Sequence, residues 1–187
     1  MAILSTNEFR SGLTFAMEGG IYTILSFQHV KPGKGGAFVR TKLRNLRNDN
    51  VIERTFKSGE KFEEAYIATQ KLQFLYRAGE EYRFMDLETY EQLALPRTAL
   101  GTQGGFLKEN MELTLSRYGQ EVVGVELPTS VELLIESTEP GVKGDSSKLG
   151  TKPARLETGV TVQVPLFLTA GERIKVDTRT GTYISRA

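Results

Sequence analysis

Apolar and polar residues alternate in short runs along nearly the whole chain, and Gly, Pro, Asn and Asp separate the runs. A period of two broken by turn residues predicts strands joined by hairpins, and many such strands predict an all-β fold of sandwiches or small barrels. Residues 21–30 and 37–46 read as two strands. In the second, Ala37, Val39, Thr41 and Leu43 fall on one face and Phe38, Arg40, Lys42 and Arg44 on the other. The stretch "VKPGKGG" joins the two, which makes a β-hairpin with a tip of about six residues. Residues 48–50 turn the chain into a third strand, and residues 61–67 read as a junction.

The pattern then repeats. Leu72, Phe74 and Tyr76 alternate, residues 78–81 turn, and Tyr82 and Phe84 alternate back. A second strand–turn–strand unit turns at residues 118–120 and closes at Leu127-Pro128. In the last third, Val131, Leu133 and Ile135 share a face, as do Val160, Val162 and Val164, with Ile174 and Val176 following before a turn at residues 179–181. Residues 139–153 read as a long polar loop. Helix is predicted only around residues 7–9 and 96–100, where Pro96 suits a first turn. These breaks predict three blocks, 1–63, 64–128 and 129–187. Blocks so small bury barely enough surface to stand alone. The last two share size and strand spacing, which fits barrels of the oligonucleotide-binding (OB) type.

Composition narrows the chemistry. The chain of 187 residues has no cysteine and one histidine, His29. Disulfides, thiolate catalysis and cysteine zinc sites are excluded, and a two-histidine metal site with them. No cofactor is expected. No apolar run reaches about 18 residues, so no membrane span is expected. The N-terminus lacks a basic segment followed by an apolar one, so no secretory signal is expected, and a cytoplasmic protein fits.

Net charge is +1, unevenly spread: residues 1–62 hold ten Lys/Arg and five Asp/Glu (+5), residues 63–187 fourteen and eighteen (−4). Between Glu18 and Asp49 there is no acid, while Lys31, Lys34, Arg40, Lys42, Arg44 and Arg47 all fall there. Such a local field suits a polyanion such as RNA, or is simply a solvated face.

Enzymatic signals are weak. "KPGKGG" lacks the spacing of a phosphate loop and the hydroxyl after its lysine, and it joins strands where a phosphate loop opens a helix. The paired acids Glu63/Glu64, Glu80/Glu81 and Asp86/Glu88 read as solvated surface. Lys34 has two readings. Glycine removes bulk, Pro32 stiffens the approach, and the tip becomes a probe carrying one ammonium on a basic shaft. Alternatively the glycines serve only the turn. His29, beside the tip, either stacks on a base, contacts phosphate or merely ends a strand.

The stretch "HVKPGKGGAFVRTKLRNL" resembles bacterial translation elongation factor P, as do "ERTFKSGEKFEEA", "YRFMDLETYEQ", "KPARLETGVTVQVPLF" and "GERIKVDTRTGTYISRA". These blocks keep the family's order over nearly the full length. The resemblance implies three β-barrels in an L shape: an SH3-like, KOW-type domain and two OB-fold domains. It implies a monomeric, non-enzymatic factor that binds the 70S ribosome between the peptidyl and exit tRNA sites. There it relieves stalling at consecutive prolines by orienting peptidyl-tRNA. The alternative is a free-standing RNA-binding or RNA-chaperone module, which would have affinity for naked single strands.

The resemblance also implies roles for residues. Lys34 matches a loop-tip position that the family extends by modification, through β-lysylation or an aminopentanol-type group, while rhamnosylation requires arginine; some members use it unmodified. If Lys34 is modified, the modifying enzyme is a further partner. His29, Lys31, Pro32, Gly33, Lys34, Gly35, Arg40, Lys42 and Arg44 would meet tRNA and ribosomal RNA. Gly144, Asp145 and Ser146 match an element associated with mRNA at the exit-site codon, with serine where the family has threonine. Tyr183 and Arg186 match terminal residues of the family's block: Arg186 would contact RNA phosphate, and Tyr183 either contacts RNA or packs the barrel.

Overall fold

The computed structural model describes residues 2–140 and 150–187. Among these residues the alternation becomes sixteen strands in three sheets, so the all-β expectation holds. The first sheet is built from β1 (Ile3–Ser5), β2 (Thr14–Met17), β3 (Gly20–Val30), β4 (Phe38–Asn45), β5 (Val51–Lys57) and β6 (Lys61–Glu64), in the order β1-β6-β2-β3-β4-β5. Its core is aromatic: Phe9, Phe15 and Phe56 are buried with Phe62 against them, the Phe56 and Phe62 rings 4.8 Å apart. Edge-on and offset rings of this kind add to the hydrophobic term. Residues 7–9, expected to be helical, contribute a single 3-10 turn, Thr6–Glu8. It is fixed by a reciprocal cap in which the Asn7 N–H donates to Ser5 Oγ and the Ser5 N–H to Glu8 Oε2.

The second sheet runs β11-β10-β7-β8-β9, from β7 (Ile67–Ala78), β8 (Glu81–Asp86), β9 (Gln92–Pro96), β10 (Glu112–Tyr118) and β11 (Glu121–Glu126). A one-turn helix, α1 (Arg97–Leu100), follows Pro96 as expected. The third runs β14-β13-β12-β15-β16, from β12 (Ser130–Thr138), β13 (Thr151–Leu156), β14 (Thr161–Pro165), β15 (Arg173–Asp177) and β16 (Tyr183–Arg186). Leu133, Ile135, Leu156, Val164, Ile174 and Val176 are all fully buried.

The third sheet corrects one expectation. Residues 151–153, read as loop, begin β13, with Pro153 opposite Gln163. Lys152 shares the inward face with Ala154 and Leu156 and is buried, and its Nζ donates to the Glu139 carbonyl at 2.7 Å. A buried ammonium needs such an acceptor. Pro153 has no N–H to give, but its carbonyl accepts from Thr138 Oγ1 at 2.9 Å.

Contacts divide the chain into two units: Met1–Thr69 with Ser116–Gly124, and Gln70–Leu115 with Val125–Ala187. Within the first unit, Ile21, Ala65 and Val123 form a small apolar cluster bordered by Leu46, Ile67 and Tyr118. Beside it Arg47 grips Glu121 bidentately, Nε to Oε1 and Nη2 to Oε2, both at 2.8 Å. The same guanidinium donates through Nη1 to the Gly19 carbonyl at 2.6 Å. The fork of arginine matches a carboxylate in this way and a lysine does not.

Candidate nucleic-acid interface

β3 and β4 form the long hairpin, paired from Tyr22↔Asn45 to Val30↔Phe38. Leu25 is an extra residue in β3 between the Ile24↔Leu43 and Ser26↔Lys42 pairs, a bulge that sharpens the local twist. On β4 the faces divide as the alternation predicts: Val39, Thr41 and Leu43 are buried, Arg40, Lys42 and Arg44 exposed. Each cation heads a cross-strand row. Arg40 lies opposite Gln28 and Thr55, Lys42 opposite Ser26 and Glu53, and Arg44 opposite Thr23 and Val51.

Among the described residues no ion pair engages Lys31, Lys34, Arg40, Lys42 or Arg44. Arg47, the sixth cation of the basic stretch, is committed to Glu121 and so leaves the free set. Nothing in the sequence marks that pair, because its members stand 74 positions apart. Five cations on one hairpin, with Glu53 across from Lys42 offsetting part of their charge, make a local positive field in a chain of net charge +1.

Seven residues, 31–37, connect the strands, one more than the alternation suggests. The Ser58 N–H, just past β5, donates to the Ala37 carbonyl at 3.0 Å and pins the loop's C-terminal end to the sheet. Lys34 is exposed at the tip. Gly35 has φ +109°, a conformation that requires glycine. Gly33 and Gly36 do not: their φ angles are ordinary, and a Cβ at either would meet nothing within 4 Å. The turn therefore accounts for one of the three glycines, and the other two keep the tip slender for no internal reason. His29 carries the inward face toward the loop, packs edge-on against Phe27 with ring centres 5.6 Å apart, and is itself exposed.

The other expected contacts are separate from this hairpin in sequence. Gly144, Asp145 and Ser146 lie outside the described residues. Tyr183 pairs with Val176 across β15 and β16. Arg186 already has partners: its Nη2 is 3.1 Å from Glu172 Oε1, and its guanidinium stacks 4.9 Å from the centre of the Phe167 ring. The Glu172 carboxyl is held below its usual range, first by the Thr169 N–H and further by Arg186.

Small β modules, the first bearing a long basic hairpin, define an all-β protein built of several small sheets. Solved structures place that architecture among translation factors. The chain is similar to eukaryotic translation initiation factor 5A from Methanococcus jannaschii (27% identity, TM-score 0.50, 68% of this chain and 92% of that one). It shares its fold with an initiation factor 5A family protein from Naegleria fowleri (14% identity, TM-score 0.52, 67% of this chain and 98% of that one). Three family models match in succession: the elongation factor P KOW-like domain over residues 5–62, its OB domain over 67–125 and its C-terminal domain over 131–186. Elongation factor P of Moorella thermoacetica is 52% identical over 185 residues, which cover 99% of this chain and all of that protein. The chain belongs to the elongation factor P family, and it is a translation elongation factor.

Proposed function

We propose that the protein binds the 70S ribosome between the peptidyl and exit tRNA sites and stimulates peptide-bond formation where consecutive prolines stall it. The observation that carries this reading is the hairpin: five cations without an ion pair among the described residues, ending in an exposed lysine on a loop thinner than its own turn requires. Arg40, Lys42 and Arg44 would hold phosphates along the shaft, and Lys31, Pro32, Gly33, Lys34 and Gly35 would reach the acceptor end of peptidyl-tRNA, with His29 at the loop's base. Proline's ring restricts both the attacking amine and the nascent chain, so the reactants are badly posed. A cation that steadies the tRNA end lowers the entropic cost of alignment and stabilises developing charge, while the ribosome performs the chemistry.

Lys34 is the position for modification. An ordinary lysine reaches about 6 Å beyond its backbone, and an extension would carry positive charge deeper. The open space around Gly33 and Gly36 gives a modifying enzyme the same access as the ribosome. We read domains at 1–63, 64–128 and 129–187, with Gly144, Asp145 and Ser146 toward mRNA at the exit-site codon. Tyr183 and Arg186 stand as further RNA contacts, the latter once it leaves Glu172. The protein would act as a monomer in the cytoplasm, where its ribosomes are.

Lys34→Ala tests the core of this. The variant is expected to fold normally and to lose most rescue of a polyproline reporter in reconstituted translation. Full rescue by the variant sinks the tip-lysine mechanism. Ribosome profiling with and without the chain separates the site of action: relief confined to proline runs supports the reading, and a diffuse effect points to an RNA chaperone.

A further inference from the structure

Each of the three sheets reverses one strand pair with the same six-residue turn, at residues 45–50, 86–91 and 177–182. In each, the first N–H donates to the sixth carbonyl (Asn45 to Asn50 2.9 Å, Asp86 to Glu91 2.9 Å, Asp177 to Thr182 2.8 Å). The fifth N–H donates back to the first carbonyl (Asp49 to Asn45, Tyr90 to Asp86 and Gly181 to Asp177, all 2.9 Å). The first side chain accepts from the third N–H: Arg47 to Asn45 2.8 Å, Glu88 to Asp86 2.7 Å, Arg179 to Asp177 2.8 Å. The fifth residue is left-handed every time, with φ 57° at Asp49, 61° at Tyr90 and 68° at Gly181.

Aspartate and glycine suit that conformation; a bulky aromatic does not. Tyr90 is nevertheless 71% exposed, so packing does not compensate. Among the described residues its ring has no aromatic or guanidinium partner. The turn lifts an aromatic ring into solvent between Glu88 and Glu91, both exposed and without an ion pair among the described residues. The equivalent tips carry arginine in place of Glu88: Arg47, bound to Glu121, and Arg179, beside Asp177.

We propose that Tyr90, flanked by Glu88 and Glu91, is a docking knob for an arginine-bearing segment of a basic protein on the ribosome. The guanidinium would stack on the ring while the carboxylates pair with neighbouring cations. The two acids repel a phosphate backbone, which selects protein over RNA as the partner. The inference rests on the ribosome-binding reading above.

Full-length chain carrying a photoreactive benzoylphenylalanine at position 90, or separately at 34, is irradiated on 70S ribosomes. Position 90 is expected to cross-link to a basic ribosomal protein and position 34 to RNA. Cross-linking of 90 to RNA, or to nothing while 34 still reacts, overturns the knob and leaves the hairpin reading standing. Failure at both positions removes the ribosome reading and this inference with it. Tyr90→Gly and Tyr90→Asn are each expected to weaken 70S binding about tenfold, with a thermal midpoint unchanged or raised; Tyr90→Phe keeps both ring and affinity. Unchanged affinity in the Gly and Asn variants, or a lowered midpoint in both, overturns the proposal.

Discussion

Gly36 illustrates how a residue's reason can lie outside its own fold. Its φ is ordinary and a methyl group there would meet no atom within 4 Å. Replacing it with alanine removes conformational freedom from the unfolded chain, which at a compatible position stabilises a protein by roughly 0.4–1 kcal/mol. If the thin tip exists so that Lys34 can enter a crowded RNA site, the same methyl obstructs entry. Gly36→Ala is therefore expected to melt slightly higher than the parent and to rescue polyproline translation less well. Equal rescue, measured beside the thermal midpoint, would return Gly36 to the role of a simple turn residue. Gly35 gives the contrasting control, because its φ of +109° penalises any side chain regardless of function.

Among the elements, the repeated turn carries a pH signature. Asp86 is held below the usual carboxylate range by the N–H groups of Thr89 and Glu88, and Asp177 likewise by those of Thr180 and Arg179. A carboxyl with a lowered native pKa contributes stability that is fully present above its unfolded value, about 3.9. That contribution is lost as pH falls through the lowered native value. Asn45 shows that an amide fits the same turn. In Asp86→Asn the Gln70 amide, whose Oε1 is buried without a partner and whose Nε2 donates to Asp86 Oδ2, can turn over and accept from the new amide. The double variant Asp86→Asn, Asp177→Asn should thus lose less stability than its parent between neutral pH and pH ~3, read by denaturant titration at each pH. A parallel loss in both would show that these turns do not carry the acid sensitivity. The sequence exposes such turns only in part. Asn48–Asp49–Asn50 and the Arg179–Gly181 corner announce themselves by composition, whereas Tyr90 disguises the middle one. Strand β13 is hidden for a related reason: Gly150, Lys152 and Pro153 read as loop, and an inward lysine is made tolerable by the Glu139 carbonyl, thirteen positions away at the far end of the same polar stretch. Strands β3 and β4 were legible because one face is apolar and the other charged over their common length. The Arg47–Glu121 grip was not, since local pattern cannot join residues so far apart.

For the whole molecule, charge is the property that decides how binding should respond to salt. The first 62 residues carry +5 and the remaining 125 carry −4, so the chain has little general attraction for RNA, and on the proposed reading its affinity comes from a small set of cations. Arg47 is neutralised by Glu121, which concentrates that set on Lys31, Lys34, Arg40, Lys42 and Arg44. Each phosphate contact adds about 0.7–0.9 to the slope of log affinity against log salt. Arg40 is exposed in mid-shaft, between Gln28 and Thr55, neither of them charged, so its reversal disturbs no internal pair. Arg40→Glu is expected to weaken 70S binding strongly at low salt, to flatten the salt slope by about one unit, and to converge on the parent as salt rises. Equilibrium binding across a potassium chloride series measures all three together. An undiminished slope would mean that Arg40 faces solvent in the complex, and that the shaft only carries the tip instead of holding phosphate along its length.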